Sequence, residues 1–343
     1  LRYNSEKIGD LSRVVAPPYD IISPPAQARY HEKSPHNVIR LDYGLTLPED
    51  DEDHNRYTRA AEAMAQWRQE EVLVRDERPA FYFCREEYID SEDRPVVREG
   101  FLAAVKLTDF SEGKVLPHEE TGSGAREDRF RLMDATRANT SAIYCLYADP
   151  ENTVAAAMAP AAAGEPDICL VDDAGTRHSL WVVDDPRTTA AVTELMAARK
   201  LLIADGHHRY ETALKYRDSR HAAEQPDAEQ PYDYMMMYLS SMDGTAESIL
   251  ALHRVVSGVD SQTVASLPST LEMHFQVTTV TGDDRRGDMM ASLAAAGARH
   301  RFGMYIAVTG DFYLLESRRE KPALDVDEAG HSTAWRSLHE AVL

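Results

Sequence analysis

Long apolar runs are missing from this sequence. It contains no stretch of roughly eighteen apolar residues of the kind that crosses a bilayer. Its first residues, Leu1-Arg2-Tyr3-Asn4, lack the basic and then apolar layout of a secretory signal. We therefore expect a cytoplasmic protein with no membrane partner.

Cysteine is also scarce. The three cysteines, Cys84, Cys145 and Cys169, are far apart and form no Cys-x-x-Cys pair. This excludes a disulfide framework and a cysteine zinc site. The pattern favours three buried free thiols.

Basic residues are few relative to acidic ones. The chain has 37 Lys and Arg against 58 Asp and Glu, a formal charge of -21. Such a surface repels polyanions, so we expect no broad nucleic-acid binding. A local cluster of His and Arg is correspondingly more informative. The length of 343 residues, with 43% hydrophobic and 28% charged residues, is typical of a globular protein with two or three packed units.

Three well-known catalytic and nucleotide-binding motifs are absent. The sequence has no Gly-x-x-x-x-Gly-Lys-Ser/Thr loop, no complete Gly-x-Gly-x-x-Gly and no His-Glu-x-x-His. P-loop, Rossmann and zincin mechanisms therefore lose support. Any phosphate chemistry in this chain uses another framework.

The residue pattern predicts an α+β protein with a mixed sheet. Proline pairs make the segment 14–25 extended and able to line a site. The segment 117–129 is predicted to be a loop, and the last residues, 338–343, to be part of a helix that a natural C-terminal segment would continue. Apolar spacing predicts helices at 55–71, 130–137, 153–163, 186–199 and from 207 onward, and strands at 80–84, 100–105, 142–147, 179–183, 201–204, 234–239, 304–308 and 312–316.

The strongest chemical signal follows the strand 201–204. Asp205-Gly206 makes a turn, and His207, His208 and Arg209 occupy the first turn of the next helix. A glycine turn lets a ligand approach the backbone, and helix-start amides with His and Arg donors suit a phosphate. Alternatively, Asp205 only caps the helix and the histidines are surface residues.

The second signal is Pro117-His118-Glu119-Glu120-Thr121, followed by Arg126 and Arg129. His118 and Glu119 are candidate acid and base, or Glu119 holds a divalent cation such as Mg²⁺. Arg126 and Arg129 would grip charged oxygens. The alternative is a solvated, charged surface.

Together these motifs resemble a bacterial and archaeal family, domain of unknown function 1015. The resemblance covers nearly the whole chain. One departure is Arg126, where the family usually has Lys, which keeps the charge but changes its geometry. The motifs are Ala16-Pro17-Pro18-Tyr19-Asp20, Pro117-His118-Glu119-x-Thr121, Arg126-Glu127-Asp128-Arg129, Thr136-Arg137-Ala138-Asn139 and Ala204-Asp205-Gly206-His207-His208-Arg209-Tyr210.

That family is grouped with the ParB/sulfiredoxin-like superfamily, which places a turn at a helix start against nucleotide phosphates. The resemblance implies that Gly206, His207, His208 and Arg209, with Asp205, bind phosphate. It also implies a ParB/sulfiredoxin-like region at 1–240 that carries an inserted hairpin and loop-helix segment at about 75–150. A truncated α/β region would occupy 241–343.

Some relatives in the superfamily are kinases of free serine. The resemblance therefore implies a phosphotransferase that acts on a small hydroxyl metabolite such as free serine. The expected donor is ATP, ADP or pyrophosphate, with magnesium as cofactor. Tyr19, Asp20 and Thr121 would contact the substrate. Two alternatives remain: a nucleotide-binding regulatory module of the ParB type, and a metal-dependent phosphoester hydrolase. The oligomeric state stays open.

Overall fold

The computed structural model describes residues 1–90, 93–119, 123–244, 253–295 and 300–318. The chain divides into two compact units, Leu1–Ile249 and Leu250–Leu343. Both contain helices and strands, so the α+β prediction is confirmed. No helix in the described ranges is long and apolar enough to cross a membrane.

The first unit opens with a mainly helical segment. Its longest helix begins after Asn55, whose side chain accepts hydrogen bonds from the amides of Tyr57 and Thr58 in a capping box. This helix buries Met64 and Trp67. The elements are β1 (Arg2–Tyr3), α1 (Ser5–Ile8), α2 (Pro24–Lys33), α3 (Ile39–Asp42), α4 (Arg56–Gln69) and β2 (Leu73–Val74), with β1 antiparallel to β2.

An eight-stranded mixed sheet follows, in the order β5-β9-β6-β10-β4-β3-β8-β7. β10 runs parallel to β6, and β5 runs parallel to β9, whereas the other neighbours are antiparallel. The strands and helices are β3 (Phe81–Ile89), β4 (Pro95–Lys106), β5 (Val115–Leu116), α5 (Ser123–Thr136), β6 (Ile143–Tyr147), α6 (Thr153–Met158), β7 (Ile168–Val171), β8 (Arg177–Val183), α7 (Pro186–Ala197), β9 (Leu201–Asp205), α8 (His207–Glu224) and β10 (Tyr234–Ser241).

One face of this sheet carries the main core. Alternate residues of the strands point to the same side, as their period of two requires. In β10, Met235 and Met237 are buried, and helices α6, α7 and α8 add Val154, Val192 and Tyr210. The methionine-rich run is thus a core strand, as predicted.

The second unit contains a three-stranded antiparallel sheet in the order β11-β13-β12. The hairpin around Gly310 is confirmed. Two helices and one strand in this unit escaped the sequence reading: α9, α10 and β11. The elements are α9 (Ser261–Leu271), β11 (Phe275–Thr279), α10 (Arg285–Ala294), β12 (Arg301–Ile306) and β13 (Asp311–Ser317).

The structure corrects two expectations. Residues from Ser123 onward, predicted to be a loop, are already part of α5, because Arg, Glu and Asp are compatible with a helix whose charges find partners. The thiols also differ from the prediction, since Cys145 is buried, Cys84 is half-buried and Cys169 is exposed on the edge strand β7. The predicted helix at 338–343 lies outside the described residues, as does Thr121.

Candidate functional site

The predicted strand-turn-helix motif is present. β9 ends at Asp205, and Gly206 precedes α8 with φ 99°, in the left-handed region that favours glycine. A β-bulge interrupts the pairing of β9 with β6 just before this turn. Because Gly206 has no side chain, it leaves the first amides of α8 without the usual N-cap acceptor. The helix start therefore suits an anion.

Arg209 is buried beside the turn and is already paired. Its guanidinium donates to the Asp205 carboxylate, to the Ala142 carbonyl, and to Ser141 Oγ at 2.7 Å. Asp205 thus bonds Arg209 and does not act as the N-cap residue. Arg209 ties the turn to the start of β6. Its predicted contact with phosphate remains a prediction.

His118 and Glu119 contact the first residue of α8. The backbone N–H of His118 donates to Nε2 of His207 at 3.2 Å, and the two rings meet edge-on with centroids 4.4 Å apart. Glu119 Oε2 lies 3.4 Å from His207 Nδ1. The two motifs, 89 positions apart in the sequence, are therefore in direct contact.

Burial, followed by the neighbouring His118, lowers the pKa of His207 from its ordinary value. His207 is therefore neutral at neutral pH. In the neutral ring Nε2 accepts the His118 amide, so the proton sits on Nδ1, facing Glu119. His118 and Glu119 are exposed, while His207 is only 2% exposed. The cluster thus has a buried wall and a solvent side.

These three side chains are also the group of possible metal ligands found within the described ranges. One ligand atom from each of His118, Glu119 and His207 lies within 4.8 Å of the other two. Glu119 was predicted to hold a cation. The buried histidine beside it had been assigned to phosphate instead. His208, on the same turn, is half-buried.

The two arginines of α5 that the sequence singled out, Arg126 and Arg129, are engaged with carboxylates. Arg126 Nη1 donates to Glu211 Oε2 at 2.9 Å, and its side chain is 42% exposed. Arg129 is buried and bonds both Asp128 and Asp42. Of the two, Arg126 is therefore the one with room to reach a ligand.

A cavity of about 160 Å³ lies next to this arginine network. The Tyr19 ring stacks on the Arg129 guanidinium, with 4.0 Å between the ring centroid and the guanidinium carbon. Burial raises the pKa of Tyr19 above its ordinary value, and the charges of Arg129 and Arg209 partly oppose this rise. Asp20, by contrast, is exposed. The cavity is lined by Ala16, Pro17, Pro18, Ile22, Val38, Ile39, Asp42, Thr140 and Ser141.

Three polar residues of this cavity were missed from the sequence. Asp42 Oδ1 accepts hydrogen bonds from Arg129 and, at 2.7 Å, from Thr140 Oγ1, while Ser141 accepts from Arg209. Thr140 and Ser141 directly follow the motif 136–139, which was the available signal. Nothing in the sequence around Asp42 indicated its role.

A larger cavity, about 480 Å³, lies at the other end of α8. It includes Arg217, His221 and Asp233. At 1.5 Å per residue, His221 is roughly 20 Å along the helix from His207. Because none of the sequence motifs reaches it, we assign the functional site to the start of α8.

Neither the curated proteins nor the solved structures contain a match to this chain. The family model described as "Protein of unknown function (DUF1015)" matches residues 1–340. The chain therefore belongs to the DUF1015 family.

Proposed function

We propose that this protein is a phosphotransferase that moves a phosphoryl group from ATP, ADP or pyrophosphate to a small hydroxyl metabolite. The observation that carries the proposal is the contact of His118 and Glu119 with His207 at the start of α8. It brings a candidate acid-base pair to a helix start that favours anions.

The donor phosphates would lie at the amides after Gly206. The resemblance to the ParB/sulfiredoxin-like superfamily supports this location. Arg126 is the best candidate to grip the donor, since it is more exposed than Arg129, the other predicted phosphate-binding arginine on α5. Arg209 and Arg129 would hold the turn and the cavity wall in place, because their guanidinium groups already bond protein acceptors.

A cation is needed between the donor and the protein. The carboxylate of Glu119 would repel phosphate oxygens unless a positive ion lay between them. Glu119 and the two histidines around it would hold this ion, and when bound it neutralises charge on the transferred group. The oxygen of Glu119 that is not bound to the ion, on the exposed side, would accept the proton of the attacking hydroxyl.

The acceptor would occupy the cavity beside Tyr19. Its volume fits a small metabolite, and its polar residues, Asp42, Thr140 and Ser141, are hydrogen-bonding groups on an otherwise apolar wall. Ser141 contacts Arg209, which contacts Asp205. The cavity is thus linked to the glycine turn by one chain of hydrogen bonds.

The test is a matrix of donors and acceptors with the purified protein. ATP, ADP and pyrophosphate are each incubated with serine and other small hydroxyl compounds, with divalent cations, and products are followed by phosphorus NMR. A phosphorylated acceptor that disappears in Glu119→Gln supports the proposal. Donor binding without turnover for any acceptor would instead favour a nucleotide-binding regulatory module.

One observation favours a second candidate, a metal-dependent phosphoester hydrolase. The His118, Glu119 and His207 side chains are close enough to bind one ion, which is the arrangement that activates water. Release of inorganic phosphate without an acceptor would support hydrolysis. An acceptor-dependent product would exclude it.

A further inference from the structure

We propose that the cation bound by His118, Glu119 and His207 is a first-row transition ion of the zinc, manganese or ferrous iron type, and not Mg²⁺. The inference deepens the proposed function, on which it rests for the role of the ion. The binding site itself is argued from its own residues.

The spacing of the side chains fits such an ion. Bonds of about 2.1 Å to a tetrahedral centre separate neighbouring ligand atoms by about 3.4 Å. Glu119 Oε2 and His207 Nδ1 are 3.4 Å apart, and His118 Nε2 is 3.7 Å from Glu119 Oε1. The ligand atoms of the three residues lie within 4.8 Å of one another, so they can converge on one ion once the His118 amide is released from His207.

The ligand chemistry selects the kind of ion. Two imidazoles and one carboxylate suit zinc, iron, manganese and copper, which accept nitrogen ligands. Mg²⁺ prefers oxygen ligands in a strict octahedron and keeps several waters. With a single carboxylate among the three candidate ligands, the cluster is a poor magnesium site.

A separate observation points to a missing ligand. Nδ1 of His207 is buried and makes no hydrogen bond within the part of the chain that the structure describes. The residue is only 2% exposed, and this nitrogen faces the Glu119 carboxylate. A buried polar atom without a partner is costly, and an ion on Nδ1 would remove that cost.

The solvent side of the cluster indicates a catalytic and not a structural ion. The side chains of His118 and Glu119 are 43% and 55% exposed. Among the described residues three protein ligands lie on one side, which leaves at least one position open to water or a phosphate oxygen. A structural zinc site would be closed by a fourth side chain.

Ion binding has a consequence for the backbone. With Nε2 accepting the His118 amide, the proton of the neutral ring lies on Nδ1. An ion needs the lone pair of Nδ1, so that proton must move to Nε2, where it would face the His118 N–H. The amide must then turn away, and we expect ion binding to release the backbone of His118 from His207.

Metal binding can be measured without any substrate. The protein is stripped with a chelator and titrated separately with Zn²⁺, Mn²⁺, Co²⁺ and Mg²⁺, with bound metal read by elemental analysis and Co²⁺ by its visible spectrum. We expect one equivalent of a transition ion, and affinity for Mg²⁺ lower by at least roughly 100-fold. Hydrogen exchange at the His118 amide should become faster on loading.

Two exposed ligands give variants that should fold normally, His118→Ala and Glu119→Gln. Each should lower transition-ion affinity by roughly tenfold or more. The matched control is His54→Ala. His54 also lies beside a carboxylate, 3.6 Å from Asp51, and its side chain is 83% exposed. It should leave binding unchanged.

Failure of the inference and failure of the proposed function are distinguishable. Absence of stoichiometric uptake, equal affinity for Mg²⁺, or uptake unaffected by both ligand variants would overturn the site. Phosphoryl transfer that needs only Mg²⁺, in a chain that takes up no transition ion, would overturn the inference and keep the function. Tight binding of a transition ion without transfer to any acceptor would overturn the proposed function and keep the inference.

Discussion

The backbone N–H of His118 donates to Nε2 of His207 across 89 positions of sequence. This bond joins the loop after β5 to the first turn of α8. It also fixes which nitrogen of the buried ring is free, and so orients Nδ1 towards Glu119. One hydrogen bond thus holds the exposed residues His118 and Glu119 against the glycine turn at Gly206.

Replacement of Glu119 by Gln should separate turnover from binding. The amide keeps the shape of the side chain but cannot accept a proton or compensate a cation. We expect kcat to fall by about 100-fold while donor affinity stays within about threefold. Steady-state rates and calorimetric titration of the donor measure the two quantities. The control is Glu127→Gln, which changes an exposed carboxylate on α5 and should leave both kcat and donor affinity unchanged. Full activity in Glu119→Gln would refute the assigned role.

Replacement of Gly206 by Ala should lower the free energy of unfolding by about 1–2 kcal/mol. The residue has φ 99°, and an added Cβ would lie 3.0 Å from Arg209 Nε. Gly175 is the matched control, with φ 83° and nothing within 4 Å of the added Cβ. Urea denaturation of Gly175→Ala should show a smaller loss, since only the backbone strain remains. Equal losses would mean that the contact with Arg209 is unimportant.

Asp149 should be a strong stabiliser of the first unit. Its buried carboxylate accepts from the amides of Thr153 and Val154 at the start of α6 and from Arg199. Asp149→Ala would leave the buried amide of Val154 unpaired and remove a partner from Thr153 and Arg199, so we expect a loss of about 3 kcal/mol in urea denaturation. The exposed N-cap of α7, Asp185, is the control and should cost less when replaced by Ala. A smaller effect at Asp149 than at Asp185 would contradict this account.

His178 should make stability depend on pH. Hydrogen bonds to Glu86 first, and then to Asp172, raise its pKa above the ordinary value. A raised pKa stabilises the fold fully below the unfolded value of about 6.5, and this contribution is lost as pH rises through the folded value. His178→Gln should therefore be more destabilising at pH 6 than at pH 9 in urea denaturation. A penalty at His178 that grows with pH would disprove the assignment.

The sequence predicts elements where one local signal is enough. α4 was found from its apolar spacing, and β9 with α8 from a short apolar run ending at a glycine. The start of α5 was missed because its charged residues are held by distant partners, as in the pairs of Arg129 with Asp42 and of Arg126 with Glu211. Edge strand β7 was missed because it is only four residues long and all four are at least partly exposed, so no clear apolar alternation marks it in the sequence.

The residues of the candidate site also divide into those that local sequence signals reveal and those that only the folded chain reveals. His118 and His207 could both be singled out because each belongs to a motif of His with charged neighbours, but their contact appears only in the folded chain. Asp42 and Ser141 were not, since each acquires its role only through a tertiary contact with an arginine. The pairing of all three site arginines with carboxylates likewise depends on the folded chain.

The position of β4 in the middle of the sheet has a consequence for biosynthesis. β3 and β4 can pair as soon as Lys106 has left the ribosome, but the other edge of β4 pairs with β10, which begins only at Tyr234. At roughly 5–20 residues per second, that edge waits on the order of ten seconds. During this interval the nascent chain exposes an unpaired strand edge and residues that are buried in the folded core, such as Phe101. Such an edge can pair with other chains. Chaperone demand should therefore peak before β10 is made.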